Sequence, residues 1–257
     1  MNFKVVIPAR YASTRLPGKP LLPIAGKPMI QHVVERARTS GAGEIVVATD
    51  DQRIAEAVTA FDGDVCMTSA EHRSGTDRIA EVVAARGWSD DEIIVNLQGD
   101  EPTMPAALVR QVAEDMDKHP DAVVTTLSTA ITDRDTLFDP HVVKVVTDHL
   151  GYALYFSRAP IPWHRDEFLH PDRPLPEVGH FQRHIGLYAY RAGFLPRYVE
   201  WPPAPLEIAE SLEQLRVLWH GQRIHVSEAV EAPGHGVDTG DDLKRVEQQL
   251  GAATLVG

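Results

Sequence analysis

Residues 28–60 read PMIQHVVERARTSGAGEIVVATDDQRIAEAVTA, and this stretch decides the fold. Met29, Ile30, Val33, Val34 and Ala37 recur at spacings of three and four, which predicts an amphipathic helix opening after Pro28. Ile45-Val46-Val47-Ala48 is then apolar at every position, as a strand is when both of its faces are covered. Asp50-Asp51 turns the chain into a second helical stretch that runs to Ala60. A doubly buried strand between two helices is the repeating unit of a parallel sheet covered on both sides.

The pattern extends outward in both directions. Val5-Val6-Ile7 is a strand that ends at Pro8, and Val65–Met67 and Ile93-Ile94-Val95 with Leu97 are two more. Thr76–Ala85 and Pro105–Met116 read as helices between and after them. In such a sheet the ligand crevice lies at the C-terminal ends of the strands. The second half is less regular. Ala122–Leu127, Val142–Val146, Tyr152–Phe156 and Ile185–Tyr190 are strand-like. The stretch Ala159–His180, with prolines at 160, 162, 171, 174 and 176, reads as a long functional or oligomer-contacting loop. Leu206–His220 is expected to be one helix burying Ile208, Leu212, Leu215, Leu218 and Trp219, and Leu243–Leu250 a closing helix. No repeat, low-complexity segment or clean linker divides the chain.

The 257 residues carry 25 Lys+Arg against 37 Asp+Glu, a net charge of −12. That argues against broad nucleic-acid binding, which needs a basic surface to displace counterions. It leaves room for a polyphosphate, because a few local cations can dominate one pocket. No apolar run approaches the roughly 20 residues of a membrane span. MNFKVVIPAR lacks the long apolar stretch and small-residue cleavage site of a secretory leader, and the single cysteine, Cys66, implies no oxidising compartment. The expectation is a cytoplasmic protein.

Four motifs could carry chemistry. PARYASTRLPGKPL, residues 8–21, begins at the end of the first strand. Arg10, Arg15 and Lys19 place three cations there, and Gly18 with its neighbouring prolines holds an irregular backbone. Converging cations suit a triphosphate, whose leaving pyrophosphate gains charge as the bond breaks. The spacing matches neither a dinucleotide fingerprint nor a Walker A loop. A solvated basic loop is the competing reading, and the buried strand end weighs against it.

NLQGDEP, residues 96–102, ends the fourth strand, and Asp100 after Gly99 suits Mg²⁺, which takes one or two carboxylates beside phosphate oxygens and water. A turn or helix-capping aspartate is the plainer alternative. In HRSGTDR, residues 72–78, Gly75 permits close backbone approach and Thr76 or Asp77 suits a helix cap. Backbone groups there could read a pyrimidine's edge. In GHGVDT, residues 234–239, Asp238 is a candidate second metal carboxylate, again with a cap as the alternative. Most of Glu207, Glu210, Glu213 and Gln214 read as solvated; Glu213 and Gln214 matter only if one helix edge lines a pocket. The twelve histidines show no HxxH or HExxH spacing and no cysteine cluster accompanies them, so zinc is not expected. No GxSxG elbow supports serine hydrolysis.

Together with Leu212-Glu213-Gln214-Leu215-Arg216, these motifs resemble the CMP-Kdo synthetase family, the 3-deoxy-manno-octulosonate cytidylyltransferases, in order along nearly the whole chain. Residues 8–21 alone resemble sugar nucleotidyltransferases at large; the LEQLR run and the HxSGTDR segment narrow the resemblance. Gly240 departs from it, standing where proline is expected, and a looser helix start is anticipated.

The resemblance implies a nucleotide-diphospho-sugar transferase α/β fold, Rossmann-like and three-layered, with a mostly parallel central sheet and a smaller dimerisation and sugar-binding lobe. It implies one domain over 1–257, with 1–130 mainly nucleotide-binding, 131–230 mainly sugar-binding and dimer contact, and 231–257 carrying a metal aspartate and the closing helix. It further implies a homodimer that joins CTP to Kdo with Mg²⁺, giving CMP-Kdo and pyrophosphate for lipopolysaccharide biosynthesis. Ala9 would bind the nucleotide, with Arg10, Arg15 and Lys19 on the triphosphate and Ser74, Gly75 and Gln98 on the cytidine; Asp100 and Asp238 would bind the magnesium. Arg158, Arg165, His184, Tyr188, Glu213 and Gln214 would contact Kdo, and Lys19, Arg15 and Asp100 would be catalytic. Such a reaction needs no protein nucleophile, only positioning and charge neutralisation as the sugar hydroxyl attacks the α-phosphorus.

Other readings differ in class. A cytidylyltransferase for sialic acid or a polyol phosphate shares the opening motif, though a phosphate-bearing acceptor would need further cations in the second half. A nicotinamide-dependent oxidoreductase would need a glycine-rich first turn, which residues 8–21 lack. A non-catalytic nucleotide-binding module would not need two separated magnesium-type aspartates.

Overall fold

The computed structural model describes residues 1–12, 16–72, 74–170, 172–176 and 180–254. Strand β1 (Phe3–Pro8) runs inside the main sheet and sends Val5 and Ile7 into one core and Val6 into another, as a two-residue side-chain period requires. A short hairpin, β2 (Pro23–Ile24) and β3 (Lys27–Pro28), leads into α1 (Met29–Thr39). Then β4 (Glu44–Thr49), α2 (Gln52–Ala60), β5 (Asp64–Met67), α3 (Gly75–Arg86), β6 (Ile93–Asn96) and α4 (Ala106–Lys118) alternate as expected. Strands β1, β4, β5 and β6 pair parallel.

The second half adds β7 (Val124–Ala130), α5 (Arg134–Phe138), β8 (Lys144–Thr147), β9 (Ala153–Ser157) and β10 (Gln182–Arg191). It continues with α6 (Leu195–Glu200), α7 (Pro205–Glu210), α8 (Gln214–Trp219), β11 (Ile224–Glu228) and α9 (Gly240–Thr254). The sheet order is β11-β7-β10-β6-β1-β4-β5, with β8 and β9 extending from β10. Strand β10 alone crosses the path antiparallel, between β6 and β7. Helices α1, α2 and α4 cover one face and α3, α6 and α8 the other, giving three layers. Phe168 and Phe181 form a small separate core with Ile131 and Leu137 beside the β8–β9 extension.

The β2–β3 hairpin, α5 and α6 were not anticipated, and two further features differ from the sequence reading. Strand β11, which pairs parallel to β7, was not anticipated, because a run containing His225 and Ser227 does not stand out from loop. Leu206–His220 is two helices. Ser211, at φ 52, ends α7 in the left-handed region, and α8 begins at Gln214. The chain doubles back so that Arg216 grips Glu207 through both ends of its guanidinium, Nε at 2.8 Å and Nη2 at 2.5 Å. Ile208 and Trp219, expected inside, are 67% and 53% exposed, while Leu212 and Leu215 are buried. Apolar spacing alone could not register a break held by an ion pair.

Candidate active site

Parallel pairing of β1 with β6 sets the loops that follow them side by side. At Gly99 a Cβ would lie 2.9 Å from the Pro8 carbonyl oxygen, so only glycine allows this approach. Gly18, at φ +69, turns the first loop into a helical turn over Lys19–Leu21. The Lys19 ammonium donates to Asp100 Oδ2 at 2.6 Å, to the Val237 carbonyl at 2.8 Å and to Asp238 Oδ1 at 3.2 Å.

Asp238 comes from far along the chain, and backbone stitching brings it in. Val237 N donates to Asp100 O at 2.9 Å, and His235 N to Thr103 Oγ1 at 2.8 Å. Val246 and Leu250 of α9 pack on Ile24 and Met29 behind it. The start of α9 is capped by Thr239 and Asp242. Asp242 Oδ2 accepts from Thr239 N at 2.9 Å, and Thr239 Oγ1 accepts from Asp242 N at 3.2 Å. Gly240 therefore sits within a reciprocally capped turn, and the looser start anticipated there is not seen. Asp238 Oδ1 thereby faces the Lys19 ammonium.

Burial, then the neighbouring Asp100 and Asp238 charges, push the Glu101 carboxyl up to about 8. Its surroundings thus disfavour the anionic form of Glu101. Two carboxylates and a carbonyl converge on one cationic centre here. That hard-oxygen donor set suits magnesium.

Two cavities of about 560 and 400 Å³ meet at this point and share Arg10, Gln98 and Asp238 as walls. The smaller is lined by Ala9, Arg10, Lys19, Asp100 and Asp238. The larger has Ser74, Gly75 and Gln98 on one side and His184, Tyr188, Glu213 and Gln214 on the other. Ser74, rather than Thr76 or Asp77, is the cap of α3: its Oγ accepts from Asp77 N at 3.1 Å, while Asp77 Oδ2 accepts from Ser74 N at 3.1 Å. Thr76 instead donates its hydroxyl to Glu213 Oε2 at 3.2 Å, tying α3 to the α7–α8 break.

A bulge in β10 between Ile185 and Tyr188 aims the far wall. Burial drives His184 down to about 3, so its ring is neutral. Its Nε2 lies 3.0 Å from Thr126 Oγ1, and the Thr126 hydroxyl is also within reach of the Ile185 and Leu187 carbonyls, at 3.0 and 2.8 Å. With the hydroxyl proton committed to a carbonyl, Nε2 is the donor and Nδ1 remains an acceptor. Burial raises the Tyr188 hydroxyl and the Glu213 carboxyl above their ordinary ranges. Gln214 Nε2 is buried with no hydrogen-bond acceptor among the described residues, and Gln214 lines the cleft.

Not every expected residue joins this constellation. Arg158 is turned away: Nε donates to Glu210 O at 2.7 Å and Nη1 to Pro140 O at 3.0 Å, and it does not line the cleft. Arg165 is solvated, its side chain 95% exposed and 3.9 Å from Asp166. Both stand where the chain leaves β9 for the long loop, and backbone carbonyls or water satisfy them there. Arg15 lies outside the described residues. Arg183, which does line the cleft, was missed, since an arginine in strand alternation carries no local signal. Nor are all the glutamates solvated: Glu207 is buried against Arg216, and Glu210 accepts from Ser157 Oγ at 2.7 Å and Arg158 N at 2.9 Å.

Among the described residues, one further group has metal-ligand chemistry: Asp115, His119 and His225, where α4 ends and β11 begins. The two rings stack at 3.5 Å and 15°, each with Nδ1 against an oxygen of Asp115, at 3.2 Å from His119 and 2.6 Å from His225. Lone pairs in the planes of stacked rings do not meet at one point. The group acts as a hydrogen-bonded brace between α4 and β11.

The model of a family described as Cytidylyltransferase matches residues 4–224. A 3-deoxy-manno-octulosonate cytidylyltransferase from Idiomarina loihiensis is 58% identical over 251 residues, covering 98% of this chain and 99% of its own length. The enzyme of that name from Pasteurella multocida is 57% identical over 255 residues, covering 97% and 98%. A solved structure of CMP:2-keto-3-deoxy-manno-octonic acid synthetase complexed with CTP superposes with a TM-score of 0.89 at 44% identity, covering 98% of this chain and all of that one.

Proposed function

The chain belongs to the cytidylyltransferase family, and from that premise we infer that it transfers CMP from CTP to 3-deoxy-manno-octulosonate (Kdo), releasing pyrophosphate. The observation that carries this reading is the junction of the two cavities at Arg10, Gln98 and Asp238, where the reacting phosphorus belongs. A polar basin with lysine, arginine and two aspartates meets a larger cleft with Ser74, Gly75 and Gln98 on one wall and Arg183, Glu213 and Gln214 on the other, and a triphosphate, a cytosine and a sugar acid fit that arrangement. Sialic acid as the acceptor is not favoured by the relatives.

In this reading Arg10 and Lys19 face the triphosphate, and their charge offsets the charge growing on the leaving pyrophosphate. Gly75 and Ser74 present the start of α3 to the cytosine, with Gln98 opposite. Asp100 and Asp238 would hold magnesium, which when bound neutralises phosphate oxygens and favours ionisation of the attacking hydroxyl. Glu213 accepts, and Gln214 donates, hydrogen bonds at the sugar hydroxyls. His184 offers Nδ1 as a further acceptor. Arg183 takes the place once expected of Arg158 and Arg165, supplying positive charge for the sugar carboxylate. No side chain needs to become covalently attached, so positioning supplies much of the acceleration.

A homodimer fits the β8–β9 extension, where Leu150, Leu154, Trp163 and Leu169 are 57%, 63%, 55% and 69% exposed. The activity would place the protein in the cytoplasm, activating Kdo for lipopolysaccharide. No helix of the described residues is long and apolar enough to cross a membrane.

The deciding assay measures pyrophosphate release for four nucleoside triphosphates crossed with Kdo, sialic acid and a polyol phosphate. CTP with Kdo should dominate and should require magnesium. Asp100→Asn should keep the fold and lose turnover by about a hundredfold or more. Near-native activity in that variant would remove Asp100 from the metal site.

A further inference from the structure

Lys144 is the one lysine whose surface is fully buried among the described residues, and no carboxylate among them forms an ion pair with it. Its ammonium donates to three backbone carbonyls: Asp139 at 2.9 Å, Val142 at 2.6 Å and Arg158 at 2.6 Å. All three donors of the ammonium are thus used. Burial lowers its pKa, and the carbonyl dipoles hold the charge in compensation.

What these carbonyls belong to gives the lysine its meaning. Asp139 and Val142 bracket a tight turn, and His141, Val142 and Val143 form one rim of the larger cleft. The rim continues into the opposite wall, since His184 N donates to Val143 O at 2.8 Å. Arg158 reaches the same turn from the other side, through Pro140, and is clasped by Glu210. Glu210 immediately precedes the left-handed Ser211 and the Leu212-Glu213-Gln214 segment on the cleft. One ammonium therefore links the rim at 141–143 to the clasp that sets 211–214.

We propose that Lys144 is a positioning residue for the sugar subsite, fixing the His141–Val143 rim against the Arg158–Glu210 clasp so that both walls fit one sugar. It does not touch substrate. This rests on the reading of the wall of the larger cleft that carries His184, Tyr188, Glu213 and Gln214 as the Kdo site. The phosphate basin has its own supports, the Val237–Asp100 and His235–Thr103 bonds, and shares none with Lys144.

Lys144→Ala removes the ammonium and leaves space for a small alkylammonium ion. The KM for Kdo should rise about tenfold or more, with the Kd for CTP, from calorimetry, within twofold of the native value. Propylammonium chloride should restore the Kdo KM, and tetramethylammonium chloride, which cannot donate hydrogen bonds, should not. If Lys144→Ala does not fold, Lys144→Met, which fills the channel without a charge, is measured in the same way and should raise the Kdo KM alike. An unchanged Kdo KM with a lowered melting temperature would overturn the proposal, as would an equal weakening of CTP. Failure of the underlying reading would show separately, as native protein that does not turn over Kdo with CTP.

Discussion

Lys19 stands between Asp100 and Asp238, and that single ammonium joins the three motifs that matter most. It lines the smaller cavity with Arg10, Asp100 and Asp238 and does not line the larger one, which separates two outcomes. Lys19→Ala should lower kcat or raise the KM for CTP, together by about a hundredfold, with the KM for Kdo little changed in steady-state kinetics. His184 supplies a different test. Its ring is neutral in the fold down to about pH 3, whereas in the unfolded chain it takes a proton near its ordinary pKa of 6.5. The unfolded state therefore binds more protons between those values, and stability falls as pH drops below 6.5. Between pH 7 and 5.5 the native protein should lose about 1 kcal/mol more than His184→Gln in urea unfolding. Equal losses would mean that His184 is not held neutral. Lys19, Asp100 and Asp238 were legible in the sequence because their charges fall at strand ends or beside glycines. Arg183 was not, because an arginine within a strand carries no local signal and its place on the cleft is set by the pairing of β10 in the sheet.

At the scale of elements, the break between α7 and α8 is where periodicity failed. A helix continued through Ser211 would keep the apolar spacing of Leu212 and Leu215 but would separate Glu207 from Arg216. The ion pair holds the chain in the doubled-back form, and Tyr198 lies beneath the guanidinium, 4.6 Å from ring centroid to carbon. Both side chains are nearly enclosed, so removing one leaves a charge without its partner. Arg216→Met should cost about 3–5 kcal/mol in urea unfolding, and adding Glu207→Met should recover much of that loss. If the single variant costs no more than a surface change, the break is held by packing and not by the pair. The parallel strands and α1–α4 of the first half were readable because short apolar runs and apolar spacings of three and four each carry a local signature. Strand β11 has too little alternation to stand out, and its place is set by pairing with β7.

Across the whole molecule, the division of labour in the proposed function follows the chain. Cations and cytidine-facing groups lie mostly before Glu101, and His184, Tyr188, Glu213 and Gln214 lie after it. Alternating helices and buried strands made the first half of this arrangement legible from sequence. The return of Asp238 to Lys19 could be read only through a family resemblance, since closure by α9 is a matter of tertiary packing. Glu213 tests the division most sharply, because it crosses it. Its carboxylate accepts from Thr76, one residue past Gly75 in the cytidine-facing segment. That segment nevertheless has its own support in the Ser74–Asp77 cap, which does not involve Glu213. The start of α3 should therefore keep its shape when Glu213 is removed, whereas a sugar hydroxyl loses its acceptor. An unmade hydrogen bond of this kind costs about 1–3 kcal/mol, or roughly five- to a hundredfold. Glu213→Ala should raise the KM for Kdo or lower kcat by that factor. Its affinity for CTP with magnesium, titrated calorimetrically without sugar, should stay within about twofold of native. If CTP affinity collapses while the Kdo KM holds, the Thr76 contact dominates, and the α7–α8 break belongs to the nucleotide side of the cleft.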